Sequence, residues 1–152
     1  MTYKYFNVNG KNKAKGLETM VSYAFNDKVK FNANYTYTEL ERQSRILNPK
    51  HKVNAAIDLQ ATSRLAFNVA YQFVSDRYLE YTIYPAPTYD PVLKSEILKD
   101  YQLVNANVRY ELIKNRLNIF STVDNILDKD FVESRGYSTR GRNFKLGLNF
   151  LF

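Results

Sequence analysis

The sequence predicts an all-β fold, one antiparallel sheet of about eight strands, and three observations carry that prediction. Five runs alternate apolar and polar residues with a period of two. No window sustains a 3.6-residue period, so almost no helix is expected. The links between runs alternate between tight and long, as in a meander of hairpins.

Short runs near 2–8 and 15–25 come first. From Val29 the odd positions read Val29, Phe31, Ala33, Tyr35 and Tyr37, against Lys30, Asn32, Asn34, Thr36 and Thr38. Val53, Ala55, Ile57 and Leu59 then alternate with Asn54, Ala56, Asp58 and Gln60. Leu65, Phe67, Val69, Tyr71 and Phe73 alternate with Ala66, Asn68, Ala70, Gln72 and Val74. Val104, Ala106, Val108, Tyr110 and Leu112 alternate with Leu103, Asn105, Asn107, Arg109 and Glu111. A short run near 117–125 precedes the last, in which Phe144, Leu146, Leu148, Phe150 and Phe152 face Lys145, Gly147, Asn149 and Leu151. Successive side chains of a strand point to opposite faces, so each run has one apolar and one polar face. Asn26-Asp27-Lys28, Thr62-Ser63-Arg64 and Lys114-Asn115 are tight hairpin links. The links near 9–14, 40–50, 77–100 and 126–141 are long, and the alternation puts all of them at one end. Pro85, Pro87 and Pro91 fall in the longest and Pro49 in another, as turn chemistry favours. No linker or low-complexity tract interrupts the chain, so residues 1–152 read as one domain.

Composition excludes several functions. Without cysteine there is no disulfide framework and no thiolate site. One histidine, His51, rules out a multi-histidine metal cage. No glycine pattern of a phosphate-binding loop occurs. No Ser-His-Asp or carboxylate pair is forced together by the spacing, so no enzyme, catalytic residue, cofactor or metal is expected. Asp124, Asp128 and Asp130 offer oxygens of the kind calcium takes, but Asp and Asn favour turns for local reasons and a turn is the reading taken. A charge of +7 with 13 Tyr and 10 Phe permits a soluble nucleic-acid binder. The aromatics lie on the face opposite most charges, however, which spoils a stacking platform, and no nucleic-acid partner is expected. No stretch approaches the ~20 apolar residues of a membrane helix. Met1 to Phe6 lacks the basic start and apolar run of a secretory leader. Neither point bears on a β-barrel, whose strands each carry a weak hydropathy signal.

Alternation alone leaves open whether the apolar face meets a protein core or lipid. The polar face of the four middle runs holds eight Asn or Gln against the charges Lys30, Lys52, Asp58, Arg109 and Glu111. A water-exposed sheet usually carries more Lys and Glu, whereas amides suit a crowded, hydrogen-bonded lumen. Tyr23, Phe25, Tyr35, Tyr37, Tyr71, Phe73 and Tyr110 gather toward strand ends, as in the girdles of membrane barrels. The prediction is therefore an antiparallel transmembrane β-barrel segment; a soluble sandwich packed around the same aromatics is the alternative.

Lys145, Gly147, Phe150 and Phe152 occupy the pattern polar, any, Gly, any, any, aromatic, any, aromatic, which resembles the assembly signal of bacterial outer-membrane proteins. Val123-Asp-Asn-Ile-Leu-Asp-Lys-Asp-Phe131, Gly136-Tyr137 and Gly141-Arg142-Asn-Phe144 resemble the closing segment of TonB-dependent outer-membrane receptors. Asn7-Val-Asn-Gly10 with Lys15-Gly-Leu-Glu18, and Pro49-Lys-His-Lys-Val53, resemble two upstream strand openings of that family. The ordered set covers nearly the whole chain.

The resemblance implies a 22-stranded barrel with an N-terminal plug, of which this chain would be about the last eight strands, with plug, TonB-contacting segment and signal peptide absent. It implies placement in the bacterial outer membrane, short turns at the periplasmic side and long loops outside. It also implies lipid, lipopolysaccharide and the barrel-assembly machinery as partners, with the TonB system reached only through the absent plug. The function implied is uptake of a scarce small metal-complex ligand, ferric siderophore ahead of cobalamin or haem. A self-closing eight-stranded barrel acting as anchor or adhesin is the alternative, since eight strands can close.

In the receptor reading, ligand contacts come from the outer loops. Arg77, Tyr81, Tyr84 and Tyr89 in the longest loop, and Arg135 and Tyr137 in the last, combine aromatic faces with guanidinium groups that can hold a planar or anionic complex. Arg135, Tyr137 and Arg140 can equally meet lipopolysaccharide phosphates. The lumen charges Glu18, Lys30, Lys52, Asp58, Arg109 and Glu111 are expected to pair with one another or with the plug. His51, at a strand opening, is read as positional.

Overall fold

A computed structural model describes residues 13–41 and 46–152. Seven strands form one antiparallel meander: β1 (Ala14–Asn26), β2 (Val29–Leu40), β3 (His51–Gln60), β4 (Leu65–Val74), β7 (Tyr101–Ile113), β8 (Leu117–Asp124) and β9 (Asn143–Phe150). The two remaining strands, β5 (Arg77–Ile83) and β6 (Val92–Leu98), pair as a separate hairpin between β4 and β7. The expected run at 2–8 and the Asn7 to Gly10 segment lie outside the described residues.

The link 77–100 is thus not a loop. Its prolines occupy the connection between β5 and β6, with Ala86–Pro87 in cis, and leave both strands free to pair. The other long links among the described residues span 41–50 and 125–142, and they leave the same end of the sheet as the hairpin; the expected link near 9–14 lies almost wholly outside the described residues.

The register carries the geometry. The row of partners through Val29 runs Leu59, Phe67, Val108, Ser121 and Leu146. From that row the apex of the β1–β2 turn is about 1.5 residues away, that of β3–β4 about 4, and that of β7–β8 about 6.5. The apices therefore slide by about five residues over about four strand spacings. With a rise of about 3.3 Å per residue and about 4.8 Å between strands, they stand level when the strands tilt by about 40°, the tilt of a barrel wall.

The two faces follow the predicted parity. The buried apolar residues, Val74, Leu79, Leu98 and Tyr101, all cluster where the hairpin joins the sheet. The apolar face of the sheet itself stays open: Val69 is 46% and Leu146 78% exposed, and Val21, Ile57, Leu148 and Phe150 are exposed too. Among the described residues no second layer covers this face, which a soluble sandwich requires. A sheet-wide exposed apolar surface marks contact with lipid or another protein.

Candidate functional site at the outer loops

The opposite face is a wall of amides. Asn54 Nδ2 donates to Asn34 Oδ1 at 2.8 Å and Gln72 Nε2 to Asn54 Oδ1 at 3.3 Å, a ladder across three strands. Asn107 Nδ2 donates to Thr122 Oγ1 at 2.8 Å, and Ser22 Oγ to Asn32 Oδ1 at 2.7 Å. Ala56 and Ala70 between these amides leave a shallow recess of about 430 Å³. Nearer the short turns, Lys30, Asp58, Asn68, Asn107 and Arg109 line a second recess of about 370 Å³.

Of the two pairings expected for the lumen charges, that with one another is not seen. Among the described residues none of Glu18, Lys30, Lys52, Asp58, Arg109 and Glu111 is within 4 Å of an opposite charge; the ion pairs are Lys50–Glu39, Arg135–Glu96 and Lys145–Asp124. Asp58 instead accepts from Asn68 Nδ2 at 2.8 Å, and Glu111 from the Asn115 N–H at 2.7 Å. Lys30 and Asp58 are direct cross-strand partners, but solvation in the open recess leaves little to be gained from closing the pair.

At the mouth, the hairpin is held from both sides. Ile46 bridges Tyr78, and the Leu47 N–H donates to the Tyr78 carbonyl at 2.8 Å. On the other side Arg77, only 6% exposed, donates from Nη1 to the Glu133 carbonyl at 3.2 Å and from Nη2 to the Val132 carbonyl at 2.5 Å. Its guanidinium lies 5.1 Å from the centre of the Tyr101 ring. Tyr101 packs on Phe131 at 4.6 Å and donates to Glu133 Oε1 at 3.3 Å. Farther up, Arg135 stacks on Tyr81 at 3.7 Å and reaches Glu96 Oε2 at 3.7 Å. Three of the six expected contact residues, Arg77, Tyr81 and Arg135, are thereby engaged in joining the hairpin to the last loop. Tyr84, Tyr89 and Tyr137 remain exposed. Tyr89 is fixed at φ 56 with its N–H donating to the Pro85 carbonyl at 2.9 Å.

The base of the last loop is built on Asn125, buried at the end of β8. Its N–H donates to Asn105 Oδ1 at 2.8 Å, its Nδ2 to the Lys129 carbonyl at 3.0 Å, and its Oδ1 accepts the Lys129 N–H at 2.9 Å. Asp128 Oδ1 accepts the Arg142 N–H at 2.8 Å, while Arg142 Nε donates to the Ile126 carbonyl at 2.9 Å. A Cβ on Gly141 would stand 3.0 Å from that carboxylate oxygen. Asp124 pairs with Lys145 Nζ at 2.5 Å. Asp128 closes the turn and Asp124 ties β8 to β9, and no cluster of metal-ligating side chains occurs among the described residues. Sequence reasoning missed Asn125 as a hub and Tyr101 and Glu133 as partners of Arg77. The first had a signal, its place in the Asn-Ile-Leu-Asp run; the second had none, because Tyr101 stands beyond the hairpin and Glu133 56 residues along the chain.

The remaining expected residues lie along the sheet outside this cluster. Gly147 lies beneath the Phe120 ring, which a Cβ there would overlap. Phe150 and Phe152 stack edge to face at 5.2 Å. His51 Nδ1 is bonded to Tyr35 Oη at 2.8 Å and its ring lies 5.4 Å from Tyr37, a positional role on the apolar face.

The family model of the TonB dependent receptor-like β-barrel matches residues 1–126. The vitamin B12 transporter BtuB of Vibrio cholerae is 26% identical over 159 aligned positions, which take in 99% of this chain and 24% of the transporter. The ferripyoverdine receptor of Pseudomonas aeruginosa superposes with a TM-score of 0.72 at 17% identity, over 91% of this chain and 19% of the receptor. The ferric-catecholate import receptor Fiu of E. coli gives 0.71 at 19% identity, over 93% and 21%. The chain spans about a quarter of the length of the curated relatives it matches.

Proposed function

The chain belongs to the TonB-dependent receptor β-barrel family, a family of receptors and transporters rather than enzymes, and on that premise we propose that it supplies the carboxy-terminal wall of an outer-membrane receptor. The receptor takes up a scarce small metal complex, a ferric siderophore ahead of cobalamin or haem. The observation that carries this reading is the two-faced sheet tilted by about 40°, apolar and uncovered on one side and lined with hydrogen-bonded amides on the other. The solved structures whose fold it shares include receptors for ferripyoverdine and ferric catecholates, which favours iron; the likeness to a vitamin B12 transporter keeps cobalamin second. Tyr84, Tyr89 and Tyr137 offer the ligand aromatic faces, and Arg77 and Arg135 act by holding the two loops that present them. TonB engages through the plug of the whole receptor. Among the described residues the sheet order leaves β1 and β9 as edges, and edge strands in lipid need partners, which the rest of the barrel provides.

The test uses the full-length protein in a strain lacking its own receptors. Uptake of a radiolabelled ferric siderophore should appear with the protein and collapse when the energising complex is removed. Uptake of labelled cobalamin but no iron complex would shift the ligand; a protein recovered outside the outer-membrane fraction would sink the reading.

A further inference from the structure

The outer hairpin has one open edge. β5 is bridged by Ile46 at Tyr78, but among the described residues no hydrogen bond reaches the backbone of β6 except from β5. Beside Glu96, Ile97 and Leu98 a groove of about 460 Å³ separates this edge from residues 129–132 of the last loop. Along the edge Leu93 is 66% and Ile97 64% exposed. A row of unpaired backbone groups is matched in full only by another strand. A lysine in mid-strand, here Lys94, ordinarily keeps such a strand away.

The sequence of β6 answers its own lysine. Val92, Lys94, Glu96 and Leu98 share one face of the strand, and Leu93, Ser95 and Ile97 the other. A second β6 laid antiparallel about Ser95 sets Lys94 opposite Glu96, Leu93 opposite Ile97 and Val92 opposite Leu98, each twice by symmetry. Moving the axis to a neighbouring residue sets Lys94 against Lys94 or Glu96 against Glu96, which like charges disfavour. Lys94 is exposed and in no ion pair among the described residues. Glu96 meets Arg135 Nε at 3.7 Å through Oε2 alone, which leaves its Oε1 open.

We infer that β6 is a homotypic contact strand, pairing antiparallel about Ser95 with the β6 of a second copy of this chain. The hairpin prolongs β4 and β7, since β5 opens just after Val74 and β6 closes just before Tyr101. Reversing the strand direction therefore places the partner's sheet beyond the hairpin tip, loop end to loop end. Copies in one membrane point the same way, so the pair joins two facing membranes. This geometry rests on the proposed outer-membrane reading.

The full-length protein, reconstituted into phosphatidylcholine vesicles with its loop end outward, is read by the clustering of two vesicle colours. Wild-type vesicles should cluster. Lys94→Glu and Glu96→Lys, each alone, set like charges opposite one another and should cut clustering by about fivefold or more. Lys94→Glu vesicles mixed with Glu96→Lys vesicles should cluster across colours, because every pair is again opposite in charge. Loss of the Glu96–Arg135 contact cannot produce that rescue. Ser95→Cys should give a disulfide-linked dimer on mild oxidation, since the two positions face each other across the axis. Inserted wild type that does not cluster, clustering indifferent to Lys94→Glu, or a mixture without rescue overturns the inference and leaves the membrane reading intact. The first of these is the result expected if other outer loops of the receptor cover the edge. Ser95→Cys dimers that form in detergent while vesicles stay apart overturn it as well. A protein that does not insert into vesicles overturns both.

Discussion

Gly147 belongs to the closing sequence pattern, and the structure supplies a local reason for it. Phe120 comes from β8 and lies on the amide face directly across from Gly147, its ring filling the space a Cβ would take. Gly147→Ala should destabilise the full-length protein by about 1–3 kcal/mol through overpacking. Because the ring causes the clash, Phe120→Ala with Gly147→Ala should cost at least about 1 kcal/mol less than the sum of the single changes. Denaturant unfolding in detergent measures all three, and simple additivity would show that the ring is not the reason. Arg77 is the second residue whose role the chain order conceals. It reads as a loop cation beside tyrosines, yet its fork lies buried on two carbonyls of the last loop, with Nε unpartnered. Arg77→Met should leave those carbonyls unpaired at a cost of about 1–3 kcal/mol. Amide exchange across 129–137 should quicken by about tenfold or more. Arg77→Lys should not restore protection, since an ammonium lacks the fork that spans both oxygens. Unchanged exchange in Arg77→Met would remove the clamp from the account.

Among the elements, the five alternating runs stand where the sequence placed them because each has one uniformly apolar face, and a shift by one residue would turn that face over. The β5–β6 hairpin escaped the same reading for two physical reasons. Its first strand is only seven residues long, and its second mixes polar and apolar residues on both faces, as Val92, Lys94, Glu96 and Leu98 against Leu93, Ser95 and Ile97 show. Its prolines also suggest a loop when judged by density, although they occupy only the connection. The site was legible to the same limited degree: exposed tyrosines could be named from composition, but which arginines face a ligand and which brace a loop depends on contacts across more than fifty residues. The last loop shows how a motif becomes an element. Asn125, at φ 51, turns the chain out of β8 and holds residue 129 with donor and acceptor of one amide. Asn125→Ala leaves these groups without partners and puts at φ 51 a residue that disfavours the left-handed region. A local destabilisation of about 2 kcal/mol is expected, seen as earlier protease cleavage within 129–140 while the β-sheet circular dichroism signal persists. Cleavage at the wild-type rate would show that the loop is held by its contacts with the hairpin alone.

For the whole molecule, the stagger and the asymmetry of the two faces make one claim about solvent. Turn apices that slide along the strands are what a tilted wall requires, and the apolar side, which no second layer covers among the described residues, is on the proposed reading the side that meets lipid. The claim separates neighbouring residues. Val69 and Ala70 are adjacent in the middle of β4 and point to opposite faces, Val69 in a row with Ile57 and Ala106, Ala70 in a row with Ala56 and Asn105. Val69→Arg should cost about 2–4 kcal/mol in a lipid environment, the penalty of a charge on the lipid face near the midplane. Ala70→Arg, on the amide wall beside the recess of about 430 Å³, meets hydrogen-bonding partners and water and should cost about 1 kcal/mol or less. Unfolding of the full-length protein in bilayers measures the difference. Equal penalties would mean that both faces meet similar surroundings, as in a sheet packed between two protein layers. A larger penalty at Ala70 would place the amides in a tight protein contact and turn the wall inside out.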